Sequence, residues 1–145
     1  MSVERSVQHI KQPVSTNVLC VDDAQPALEL RAHILKARGY HVTTAGNALE
    51  AVETFATAQF DLAVLDYEMP AMNGAELAAR LKTASPQLKV ILYTGATHVM
   101  DDELRFIDRM IHKSDGIEFL LAALADFAQC SEQQHRYGTS QLGRA

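Results

Sequence analysis

The chain has 145 residues, 13 basic and 18 acidic, a formal net charge of −5 and a hydrophobic share of 48%. This is the length and composition of one globular domain, and the scattered Lys and Arg argue against a surface that tracks nucleic-acid phosphates. No apolar run approaches the roughly 18–20 residues of a membrane span, and MSVERSVQHIKQPVST carries no apolar stretch before a cleavage site, so a cytoplasmic protein with no membrane contact is expected.

Residues 1–16 are polar, contain Pro13 and read as a flexible arm. Asn17–Val21 reads as the first strand. A helix follows, with Asp23 placed to cap it and Pro26 suited to its first turn. Leu28, Ile34 and Leu35 form its buried stripe and Gly39 ends it. His41–Ala45 is a second strand. Asn47 can cap a second helix whose inner face includes Leu49, Val52 and Phe55.

Phe60–Leu65 is almost wholly apolar, as a central strand covered on both faces should be. Pro70 and Asn73-Gly74 mark a turn-rich loop. A third helix runs through Leu77 and Leu81 and stops before Pro86. Lys89–Tyr93 is a fourth strand, Asp101–Ile107 a short helix, and Arg109–His112 a short fifth strand. Ser114 or Asp115 can cap a last helix with Ile117, Leu120, Leu121, Leu124 and Phe127 inward. Residues 131–145 read as a flexible tail. Cys20 falls in a strand and Cys130 near the end of the last helix; both fit buried thiols in a reducing compartment.

Five alternations of strand and helix predict an α/β fold, a doubly wound five-stranded parallel sheet with helices on both faces, over residues 17–130. In such a sheet the C-terminal strand ends share one edge. Those ends carry Asp22-Asp23, Asp66, Thr94 and Lys113. Three carboxylates gathered there repel one another unless a cation joins them. Mg²⁺ takes oxygen ligands, which Asp22, Asp23, Asp66 and the backbone carbonyl of Glu68 can supply. Asp66 would keep one oxygen free to attack phosphorus, while Lys113, Thr94 and the metal offset charge on a phosphoryl group.

Taken together, VLCVDD, LDYEMPAMNG, ILYTG and the strand-end Lys113 resemble the response-regulator receiver domain of two-component signalling, across roughly Asn17 to Ala128. The resemblance implies the flavodoxin-like strand order 2-1-3-4-5. It implies Asp66 as phospho-acceptor from a histidine kinase or phosphotransfer protein, and Asp22 and Asp23 as Mg²⁺ ligands. It further implies Thr94 as the switch hydroxyl, Lys113 as the phosphoryl counter-charge and Glu68 as a tuner of dephosphorylation. The domain would promote only its own phosphorylation and dephosphorylation and would not be an enzyme in the usual sense. Its output would be a downstream protein target or a relay of phosphate, with no direct nucleic-acid contact; the Leu-rich last helix is core first and a homodimer face second.

The chain departs from the family pattern at three places. Ser114 stands where proline usually follows the lysine, Met110 stands at the aromatic switch position, and the stretch from Thr94 to Lys113 is short. These departures sustain a second reading, a phosphorylation-independent interaction module. A haloacid-dehalogenase-type phosphatase fits poorly, because its two aspartates are two residues apart and here Asp22 and Asp23 are adjacent.

Overall fold

The computed structural model describes residues 15–129. Cys130, the tail from 131 to 145 and all but the last two residues of the expected arm lie outside that range. Five strands form one parallel sheet in the order β2-β1-β3-β4-β5. They are β1 (Asn17–Val21), β2 (His41–Ala45), β3 (Leu62–Leu65), β4 (Lys89–Thr94) and β5 (Arg109–His112). The central register pairs Val21 with Leu65, and Leu65 with Leu92. The sheet is tied down one residue before β1: Thr16, assigned to the arm from sequence, is buried and its carbonyl accepts the amide of His41 at 3.0 Å.

Strand alternation divides the core into two layers. Val18, Cys20, Leu62, Val64, Ile91, Tyr93 and Ile111 pack on one face, with Leu28 and Leu35 of α1 (Gln25–Ala37) and Leu120, Leu121 and Leu124 of the last helix. That helix, α4, is helical from 117 to 129. The other face, with Leu19, Val21, Ala63, Leu65, Val90 and Leu92, is covered by α2 (Ala48–Phe55) and α3 (Gly74–Ala84). The doubly wound architecture is the one expected, and β3 and β4 are buried at nearly every position, as parallel strands with helices on both faces must be.

Several local expectations differ. Asp23 does not cap α1: Ala24 holds the N-cap position and makes no side-chain cap bond. The neighbouring acid takes the exposed amide instead, since Asp22 Oδ1 accepts Ala24 N–H at 3.0 Å. Leu49 does not face the core and is 70% exposed; the inner face of α2 is Ala48 and Ala51, with Val52 and Phe55 half-buried. Strand β3 begins two residues later than expected and β4 extends one residue further, to Thr94. The short helix after β4 is a 3₁₀ segment, Asp101–Phe106. Ser114 and Asp115 lie in a second 3₁₀ turn, Lys113–Asp115, and Gly116, at φ 97°, stands directly before α4. Asn47 does cap α2, accepting Glu50 N–H at 2.8 Å. Asn73 and Glu76 form a reciprocal capping box on α3.

Candidate functional site

Parallel pairing brings the ends of β1, β3, β4 and β5 to one edge. Asp22 is fully buried, Asp66 is 7% exposed and Thr94 is fully buried. Asp23 and Glu68 are exposed. Oxygens of Asp22, Asp23 and Asp66 lie within 4.8 Å of one another. Lys113 Nζ donates to Asp22 Oδ2 at 2.8 Å and stands 3.6 Å from Asp66 Oδ2. The five predicted residues Asp22, Asp23, Asp66, Thr94 and Lys113 thus occupy the edge at which parallel pairing collects strand ends. Glu68 is not among the carboxylates gathered there.

The two buried acids have different surroundings. Burial works against the charge on Asp22, but Lys113, the Ala24 amide and Arg31 outweigh it and hold its carboxyl below the usual range. Asp66 moves the other way. Burial raises it first and the charge of Asp22 adds to that, with Lys113, the Thr94 hydroxyl and the Tyr67 amide offsetting only part. Asp66 Oδ1 accepts Tyr67 N–H at 2.8 Å, while Oδ2 faces Lys113 Nζ at 3.6 Å, beyond hydrogen-bond distance. The Thr94 hydroxyl accepts Ala96 N–H at 3.0 Å, which fixes its oxygen at the strand end.

The loop after Asp66 is pinned by close backbone packing. Gly74 N–H donates to the Tyr67 carbonyl at 2.9 Å, and a Cβ on Gly74 would collide with the Asp66 carbonyl and press on Leu92. Ala71 in the same loop takes a left-handed φ of 72°. Among the described residues no peptide bond is cis, consistent with Ser114 in place of proline. Met110 is half-buried and packs against the α2–α3 side of the core.

Residues 18–114 match the family profile of the response regulator receiver domain. The chain belongs to that family. Among relatives of this receiver domain, the probable transcriptional regulatory protein TcrX of Mycobacterium tuberculosis is 34% identical over 90 residues, 62% of this chain and 38% of TcrX. The chain therefore matches well under half the length of that relative. The response regulator TrrA of Thermotoga maritima, solved in complex with Mg²⁺-BeF, superposes with a TM-score of 0.73 at 31% identity, covering 77% of this chain and 98% of that one. TrrA has also been solved in complex with the histidine kinase ThkA, with a TM-score of 0.71 at 30% identity, covering 77% and 97%.

The donor set of the receiver's acidic pocket fits a hard divalent cation. Its three carboxylates converge closely enough to share an ion, and two of them are buried where unshared charge is costly. Such an ion would neutralise charge beside Asp66. Two site residues were not found by reading the sequence. Arg31, 5% exposed, donates to Asp22 Oδ2 at 3.1 Å and lies over the Tyr93 ring at 4.9 Å. Its spacing from Leu28 and Leu35 places it on the inner stripe of α1, and that was the available signal. Glu103 receives the Tyr67 hydroxyl and Asn73 Nδ2, at 2.8 and 3.2 Å. No sequence pattern links positions so far apart. Among the described residues no helix is long and apolar enough to cross a membrane.

Proposed function

We propose that this receiver accepts a phosphoryl group on Asp66 from the phosphohistidine of a histidine kinase or phosphotransfer protein, and that the change controls a protein partner or relays phosphate onward. Oδ2 of Asp66 attacks phosphorus, the P–N bond breaks, its electron pair returns to the imidazole, and an acyl phosphate forms on Asp66. Bound Mg²⁺, held by Asp22, Asp23 and Asp66 with the Glu68 carbonyl, would neutralise charge on the transferring oxygens. Lys113 supplies a second positive charge, and Thr94 a hydroxyl for one phosphoryl oxygen. Glu68, exposed beside the pocket, is assigned to the lifetime of the acyl phosphate. Catalysis is confined to the domain's own phosphorylation and dephosphorylation.

The observation that carries this reading is the position of Lys113 between two buried aspartates, bonded to Asp22 and 3.6 Å from the less engaged oxygen of Asp66. The likeness to TrrA, a response regulator solved with Mg²⁺-BeF and with a histidine kinase, supports it. The test is intact mass after incubation with Mg²⁺ and acetyl phosphate, together with amide NMR on adding beryllofluoride. The expected result is a gain of one phosphoryl mass in the wild type and none in Asp66→Asn, with shifts running from Thr94 to α4. Absence of both mass gain and beryllofluoride shifts would reject it.

The second reading, a module that binds its partner without phosphorylation, is favoured by the three donors on Asp22, two of them cationic, which offset its charge without an added ion. Partner binding unchanged by Asp66→Asn would select it.

A further inference from the structure

Arg31 is an unusual occupant of its position. It lies on the inner stripe of α1 beside the buried residues Leu28, Ala32 and Leu35, yet carries a permanent charge. Its guanidinium is spent on two groups: Asp22 Oδ2, at 3.1 Å, and the face of Tyr93, itself 6% exposed. A carboxylate offers about four lone-pair sites. Asp22 already gives one to the Ala24 amide on Oδ1 and two to Arg31 and Lys113 on Oδ2.

One site on Oδ1 stays open, and a divalent cation that binds through Oδ2 must displace a donor there. The Ala24 amide is fixed by the start of α1. Arg31 cannot leave without stranding an unpaired guanidinium in the core. Lys113 has 30% of its side chain exposed and can move.

We infer that Arg31 is a positioning residue: it is the resident counter-charge of Asp22, it stays when a divalent cation binds, it weakens that binding, and where the ion takes Oδ2 it makes Lys113 the donor that gives way toward Asp66. This rests on the reading of the acid cluster as a cation site. The affinity of the pocket is then set by a residue outside it. A positive charge one carboxylate away from the ion opposes its approach in a low-dielectric surrounding. A cation that binds through Oδ2 frees Lys113 from its 2.8 Å bond to Asp22 and makes it available on the side of Asp66 Oδ2.

The experiment is a Mg²⁺ titration of the full chain followed by amide NMR of Asp66 and Thr94, in the wild type and in Arg31→Met, which keeps the apolar stem and removes the charge. Arg31→Met should bind Mg²⁺ about tenfold or more tightly, the scale of one unit charge lost near the ion. Affinities within twofold in a variant that still melts cooperatively would overturn the inference and leave Arg31 a packing residue, with the cation site intact. No saturable Mg²⁺ binding by either protein would overturn the cation reading and this inference with it. If Arg31→Met does not melt cooperatively, the wild type decides. Side-chain ¹⁵N spectra at saturating Mg²⁺ should keep separate, slowly exchanging Nη signals for Arg31 while the Lys113 Nζ signal moves. Collapse of the Arg31 signals to a freely rotating guanidinium would overturn the inference.

Discussion

The Tyr67 hydroxyl donates to both carboxylate oxygens of Glu103, at 2.8 and 2.9 Å, and so joins the residue after Asp66 to the 3₁₀ segment that follows β4. Asn73, the cap of α3, donates to the same carboxylate. Glu103 also closes its own segment by accepting the Met100 amide at 3.1 Å. One acid therefore ties together the acceptor loop, the start of α3 and the chain that follows β4.

Removing the hydroxyl should loosen that segment. In Tyr67→Phe, amide exchange at Glu103 and Ile107, whose N–H groups bond Met100 and Leu104, should quicken several-fold while β1 and β3 stay protected. Unchanged exchange would show that the capping bonds alone hold the segment.

The same contact sets a pH window. Its hydrogen bond to Glu103 is the main force raising the Tyr67 phenol above its ordinary 10.0, and the reciprocal bond lowers the Glu103 carboxyl below its ordinary 4.5. The depressed acid contributes stability that is present above 4.5 and lost as pH falls through its folded value. The raised phenol contributes stability that is present below 10.0 and lost as pH rises through its folded value. The protection of amides in residues 100–107, relative to their intrinsic exchange rates, should thus fall at both extremes and be flat between them. Both groups are solvent-facing, so the amplitude should be small. In Tyr67→Phe the alkaline limb should vanish.

Gly74→Ala should lower stability by about 1–3 kcal/mol, the usual cost of forcing an atom into a filled space. The added methyl meets the Asp66 backbone, which cannot step aside as a flexible side chain would. Urea unfolding reads the loss, and acetyl phosphate uptake should fall with it because the acceptor moves. A variant as stable as the wild type would mean that α3 can shift as a unit.

Ala71→Gly should have the opposite sign. Ala71 sits at φ 72°, where a Cβ is disfavoured and glycine is at ease. Relief of that strain, less the greater freedom of the unfolded chain, should add about 0.5–1 kcal/mol. A higher urea midpoint at unchanged m-value is the expected reading.

Asp66→Asn should raise stability in metal-free buffer by about 1 kcal/mol, because one of three mutually repelling carboxylates is removed from a largely buried site. Added Mg²⁺ should then stabilise this variant less than the wild type, as fewer anionic ligands remain. Equal gains in melting temperature would show that Asp66 is not a ligand.

Much of this was legible because apolar runs and turn residues are local. The strands end where polar residues interrupt Val, Leu and Ile, and four such ends carried the acids, Thr94 and Lys113. The errors were local in a different way. Leu49 looked inward because it is apolar, yet the face that α2 buries in the core is made by the small Ala48 and Ala51. Asp23 looked like a cap because of its position, but its buried neighbour reached the Ala24 amide first. Arg31 was passed over because a charged residue is usually solvent-facing; only its periodicity marked it as inward. Glu103 could not be found, since its partners Tyr67 and Asn73 come near it only through tertiary packing.

The facing of Val21 by Leu65 also bears on how the chain arrives at this state. All the sheet pairings are parallel, so no tight hairpin leads any strand to its neighbour. Distant segments must meet first, which slows folding. A slip by one residue would exchange the two faces of β3, turning Val64 toward α2 and α3 and Leu65 toward α1, and would carry Asp66 away from Asp22. Convergence of the acids on Lys113 is thus a signature of correct strand alignment. In a refolding chain, the moment at which cation uptake becomes possible would report the arrival of the right register, separately from hydrophobic collapse.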